Sequence, residues 1–226
     1  MITLPMIMSF IHASNSMHRS LALLLALSCA LPCHAGVEIP PGYYGPLMIG
    51  FDPDSRVITG FYENHTGWNE ATQEPRFSCI FFLRGIVTGD APYPIATWYP
   101  SDQPGEIIAG QLNVTKTGED YFLNIRLNEE HGGCRNVQHF SGEKSADFLL
   151  IEQMPWREVR VISAEQAFFH NAPDAQQKSD FQLDKGAAIG VLDSRSGWVY
   201  TEEYREDLVI KGWIRPEDLF PGNSGK

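Results

Sequence analysis

The side chains of this 226-residue chain best suited to chemistry fall in two polar clusters. The denser is Asn128-Glu129-Glu130-His131-Gly132-Gly133-Cys134-Arg135-Asn136, with His139 just beyond it. Glu129, His131 and His139 are of the types that act as general acids, general bases or metal ligands. Two glycines after His131 mark a tight turn, however, and the spacing fits no zinc signature. The simpler expectation is a polar loop pinned by Cys134. The second cluster is Tyr62-Glu63-Asn64-His65-Thr66-Gly67-Trp68-Asn69-Glu70. In an extended segment Glu63 and His65 share one side. They are expected to meet Glu129 and His131 across the mouth of a barrel. Trp68, on a polar loop, is a candidate binding anchor.

Other catalytic signatures are missing. The chain has no Gly-x-Ser-x-Gly elbow, phosphate loop, dinucleotide fingerprint or His-Glu-x-x-His. No cofactor and no metal are expected, and binding is favoured over catalysis.

The N-terminus carries a different kind of signal. Met17-His18-Arg19 is a short basic start, residues 21–27 are uninterrupted by polar groups, and Pro32 precedes Cys33-His34-Ala35. A positive region, a short apolar run and a small-residue exit are the anatomy of a secretory signal. The run is about half the roughly 20 residues that span a bilayer, so a membrane-spanning anchor is not expected. Residues 1–35 are therefore read as a signal peptide, with residues 1–16 an upstream start-site artefact. Ala26-Leu27-Ser28 before Cys29 is a poor match to a lipobox. Cleavage is expected after Ala35, with Ala30 the alternative, and either leaves 16 basic and 28 acidic residues, a net charge of −12. Such a surface repels nucleic acid and anionic lipid. It keeps the chain soluble and leaves room for a basic partner.

Cleavage after Ala35 also leaves two cysteines, Cys79 and Cys134. An exported chain with a small even number of cysteines is expected to form a disulfide. Neither belongs to a Cys-x-x-Cys motif.

The elements expected to position these groups are strands. Aromatic and β-branched residues are spread throughout, punctuated by glycine and proline, with little helical periodicity. Leu47-Met48-Ile49-Gly50-Phe51 and residues 56–63 flank Asp52-Pro53-Asp54-Ser55, which reads as a hairpin turn. Phe77, Cys79, Phe81 and Leu83 share one face of a third strand, which points Cys79 into the core. Residues 95–99, 106–114 and 121–127 continue the series, and residues 147–152 supply a seventh strand. In the 121–127 segment Tyr121, Leu123, Ile125 and Leu127 line one side, as in a sheet with one wet face. The expectation is all-β: an antiparallel barrel or sandwich over residues 40–156, then a small barrel over 159–220 and a flexible tail over 221–226.

Three pieces of the second segment carry a family resemblance. They are Ala167-Phe168-Phe169-His170-Asn171-Ala172-Pro173; Leu183-Asp184-Lys185-Gly186 with Ile189-Gly190-Val191-Leu192; and Ser196-Gly197-Trp198-Val199 followed by Gly212-Trp213-Ile214 and Asp218-Leu219. In this order and spacing they resemble a bacterial SH3-like domain. The resemblance implies a groove for a peptide, from the cell wall or from an envelope protein, lined by Phe168, Phe169, Trp198, Tyr200 and Trp213. The Cys–His pairing of a wall-peptide hydrolase, a common neighbour of such domains, is not present. The first segment is similar to lipocalin-type and lysozyme-inhibitor barrels of bacterial envelopes in its signal, strands, disulfide and acidic charge. No inhibitor motif accompanies that likeness, so no inhibitory residue carries over.

The expected function is therefore an exported, periplasmic or secreted, cell-envelope binding protein. Two alternatives stand beside it: an inhibitor or immunity-type protein for a basic wall hydrolase, and an enzyme using Glu63, His65, Glu129 and His131.

Overall fold

A computed structural model describes residues 39–101, 105–143, 145–205 and 208–221. The expected signal peptide and all but the first residue of the expected tail lie outside them. The fold is all-β, as the alternating pattern requires.

The first sheet contains β1 (Gly42–Tyr44), β2 (Leu47–Asp52), β3 (Val57–Asn69), β4 (Glu74–Ile86), β5 (Tyr93–Trp98), β6 (Ile108–Thr117), β7 (Asp120–Leu127), β8 (Ala146–Leu149) and β9 (Glu152–Gln153). From β1 to β8 each strand pairs antiparallel with the next in sequence. The chain then returns, and β9 pairs with the free side of β1. The nine strands curl into a half-barrel whose two edges are β8 and β9. The concave side is filled by Tyr44, Tyr62, Phe81, Tyr93, Leu123, Ile125, Phe140 and their neighbours.

The second sheet has six strands: β10 (Glu158–Val161), β11 (Gln166–His170), β12 (Lys178–Asp184), β13 (Ala188–Arg195), β14 (Trp198–Arg205) and β15 (Leu208–Ile214). Their order is β10-β13-β14-β15-β11-β12. A 3-10 turn over Pro216–Asp218 leads to Leu219, which bridges back to Ile162. Ala167, Phe169, Leu183, Ile189, Ile210 and Ile214 fill this sheet's own core.

A third apolar cluster joins the sheets. Phe61, Phe82 and Trp98 project from the convex side of the first sheet onto Trp156, Val159, Val161 and Phe220. The convex side is therefore not uniformly wet. Its central strands are covered by the second sheet, which explains why Ile80-Phe81-Phe82-Leu83 runs apolar without alternating. Strand β10 crosses β2 closely: a Cβ at Gly50 would overlap the Glu158 backbone. The Val159 amide donates to Thr59 Oγ1 at 2.7 Å, and the Phe51 amide donates to the Trp156 carbonyl at 3.1 Å.

Candidate functional site

An aromatic strip crosses β14, β15 and β11. Strand pairing sets Tyr200 opposite Trp213, and Trp213 opposite His170. Tyr200 and Trp213 pack with ring centroids 5.0 Å apart. His170 meets the edge of Trp198 at 4.7 Å, and the Arg215 guanidinium lies 5.7 Å from the same indole. His170 Nδ1 donates to the Asp174 carbonyl at 3.1 Å, which holds the imidazole plane against Trp198. Phe168 lies under the Lys178 ammonium, 3.2 Å from its ring centroid. Trp198, Tyr200, Trp213 and Phe168 are half-buried, and none belongs to a core cluster. Aromatic faces with flanking cations are suited to recognising apolar and carbonyl-rich chains.

Phe169 differs from the expectation. It is 1% exposed and fills the core of the second sheet, so it lines no groove. The two-residue period of β11 explains this: Phe168 and Phe169 cannot face the same way. His170, which the aromatic pattern did not single out, is also buried and backs Trp198 rather than lining the groove.

The two polar clusters do not meet. Glu63 and His65 stand on the convex side of β3, whereas His131 is buried and stacks on Phe81 inside the half-barrel, with centroids 5.0 Å apart. The sheet itself lies between them, and Glu129 is an exposed loop residue. An acid–base set drawn from Glu63, His65, Glu129 and His131 therefore does not form. Among the described residues no group of three or more His, Cys, Asp or Glu is placed to hold a metal ion.

Each cluster instead builds something local. His65 Nδ1 is 2.8 Å from Ser78 Oγ, and its Nε2 is 3.0 Å from Glu63 Oε1. Pairing of β3 with β4 sets Ser78 opposite His65. This is a hydroxyl–imidazole–carboxylate relay. All three residues are exposed to water, and the neighbouring pocket includes Glu63 but neither His65 nor Ser78. Ser78 had no local sequence signal, because only strand register joins residues thirteen positions apart.

In the other cluster His131 Nε2–H donates to Thr97 Oγ1 at 2.8 Å, since that hydroxyl already donates to the Ile108 carbonyl. Burial pushes the His131 pKa below the ordinary imidazole value, against the pull of the Glu130 charge. Glu130 accepts from the Phe140 and Ser141 amides and from the Ser141 hydroxyl. Burial opposes its ionisation, but these hydrogen bonds and one to His139 prevail and hold its pKa low. Cys134 is bonded to Cys79, which does point into the core. The loop is thus a structural plug.

Trp68 is 57% exposed, near the end of the long β3–β4 hairpin, and Phe77 is exposed on the returning arm. The Thr66 hydroxyl donates to the Asn136 carbonyl at 3.0 Å, tying the hairpin arm to the loop beside Cys134.

No family model matches the chain, and no curated protein or solved structure matches it either.

Proposed function

We propose that the protein is an exported envelope protein that captures a peptide, of the cell wall or of an envelope protein, on the aromatic strip of its second sheet. The observation that carries this reading is the surplus of aromatic surface. Trp198 packs on His170 and Tyr200 on Trp213, and the three half-buried rings of Trp198, Tyr200 and Trp213 seal neither core. Large half-buried aromatics outside a core are typical binding anchors. The bacterial SH3-like reading of residues 159–220 is consistent with the strand order and with the 3-10 turn before Leu219. Export is supported by the formed disulfide, which persists in oxidising compartments. Among the described residues no helix is long and apolar enough to cross a membrane.

The test is retention of the chain lacking residues 1–35 on purified wall material and on envelope extract. Trp198→Ala should abolish retention while leaving the urea midpoint within the usual range for a surface change. Full retention by the folded variant removes the strip from the mechanism.

The hairpin supports a second reading, as an inhibitor of a basic wall hydrolase. Trp68 and Phe77 are exposed apolar groups on an extended arm of an acidic protein, with the geometry of a plug. Salt-sensitive loss of a basic hydrolase's activity, relieved by Trp68→Ala, is the expected result. Unchanged activity across a panel of such hydrolases ends this reading.

A further inference from the structure

A polar cleft of about 550 Å³ opens where β10 crosses the first sheet, lined by Thr59, Arg84, Arg157, Glu158, Arg160 and Asp193 among others. Its charges are almost all spent internally. Arg157 pairs with Asp52 and Asp54. Arg160 lies 3.4 Å from Glu158 and donates to the Phe220 carbonyl at 2.9 Å. Asp193 is held by Arg195 at 2.8 Å. Arg84 is the exception. It is half-buried on β4, opposite Thr59, and among the described residues its guanidinium has neither a carboxylate nor a carbonyl within hydrogen-bond distance. A guanidinium partly removed from water and lacking an acceptor costs free energy until an anion meets it.

The groups around Arg84 favour the same occupant. Thr59 is buried, and its oxygen accepts from the Val159 amide at 2.7 Å, so the hydroxyl proton is available to an acceptor in the cleft. Burial raises the Glu158 pKa, against the pull of Arg160 and Arg84, which lessens the negative charge the cleft presents.

We propose that this cleft binds a carboxylate, held by the Arg84 guanidinium with a further hydrogen bond from the Thr59 hydroxyl. The class follows from charge. One guanidinium without a hydrogen-bonded acceptor matches one negative charge, while Asp52 and Asp193 line the same walls and repel a dianionic phosphate more strongly than a monoanion. The site is separate from the aromatic strip, so its fate does not depend on the peptide reading above.

The experiment is a titration followed by amide NMR, with the Val159 N–H as local reporter because its acceptor is Thr59. The probes are N-acetyl-alanyl-alanine as the free acid, the same peptide as its C-terminal amide, acetate, and inorganic phosphate. The free acid should bind saturably, and the amide at least about tenfold more weakly, the scale of a lost charge-assisted hydrogen bond. Arg84→Gln should weaken the acid by a similar factor, while Trp198→Ala leaves it unchanged. Acetate binding as well as the peptide acid assigns the cleft to small organic acids; a stronger peptide acid assigns it to chain termini. Both support the carboxylate site. Equal binding of acid and amide, phosphate bound more tightly than the acid, or an Arg84→Gln protein that binds normally overturns it. So does the absence of saturable acid or acetate binding up to about 10 mM, beyond which affinity is too weak to be specific. Should Arg84→Gln not fold, Arg84→Met keeps much of the side-chain stem and removes the charge. Unchanged affinity in that variant is equally fatal.

Discussion

The indole Nε1–H of Trp156 donates to Oε1 of Glu202 at 2.7 Å, and Glu202 in turn accepts from the Lys211 ammonium at 2.7 Å. Trp156 sits in the short link between the sheets, and Glu202 is on β14. The carboxylate is 1% exposed, so both partners are needed to offset its desolvation. Tyr43 of the first sheet packs edge-on against the same indole at 4.7 Å. The seam between the sheets thus turns on one tryptophan whose polar edge is satisfied on one side and whose ring is packed on the other.

Trp156→Phe should cost about 1–3 kcal/mol, the scale of one buried donor lost from a charged acceptor. Glu202→Ala should cost more, because it strands the buried indole N–H and leaves a cavity beside Trp156, while the exposed Lys211 ammonium turns to water. Urea unfolding of the two variants checks the order. A Glu202→Ala protein as stable as the parent would show that the pair carries no net stabilisation.

Gly190 lies beneath the same ring, and a Cβ there would fall inside the indole. Gly190→Ala should therefore displace Trp156 and cost about 1–3 kcal/mol or more by overpacking. Near-UV circular dichroism should change along with the urea midpoint. A normal spectrum and midpoint would mean that the seam has slack the packing does not show.

The Cys79–Cys134 disulfide links positions 55 residues apart. In the chain-entropy picture, closing a loop of that size contributes about 4 kcal/mol. The double variant Cys79→Ala, Cys134→Ala should unfold at markedly lower urea, and the parent should shift the same way under reductant. The loop bearing His131 should be the first region to gain hydrogen exchange.

His131 and Glu158 predict opposite pH dependences. The folded pKa of His131 lies below its unfolded value of about 6.5. The unfolded chain therefore binds a proton first, and the stability His131 contributes above that value is lost as pH falls below it. His131→Phe keeps the stack on Phe81 and should flatten the stability curve between roughly pH 5 and 7. Asp52 and Glu130, both lowered, act with the same sign but in the carboxylate range. Glu158 is raised, so the stability it contributes is full below the ordinary carboxylate value and lost as pH rises. Glu158→Gln should gain stability at pH 7 relative to pH 4. Parallel curves for parent and variant would refute either assignment.

Much of this architecture can be read along the chain. The turn at Asp52-Pro53-Asp54-Ser55 separates β2 from β3 because proline presets the turn and flanking residues alternate. Cys79 faces inward because Phe81 and Leu83 share its parity. What escapes the sequence is whatever depends on distant register or on a second buried face. Phe61, Phe82 and Trp98 look like residues of a convex wet side until β10 is laid across them. Arg84 carries no motif; its isolation follows from which acids its neighbours have already claimed. The same holds for Ser78, adjacent to His65 only through the β3–β4 ladder.

The third apolar cluster has a practical consequence. The two sheets cannot be traded as interchangeable modules. A fragment stopped before residue 156 would lose Trp156, Val159, Val161 and Phe220 and lay bare Phe61, Phe82 and Trp98 as one sticky patch. Either half expressed alone is therefore a poor reagent, and binding measurements belong on the intact chain.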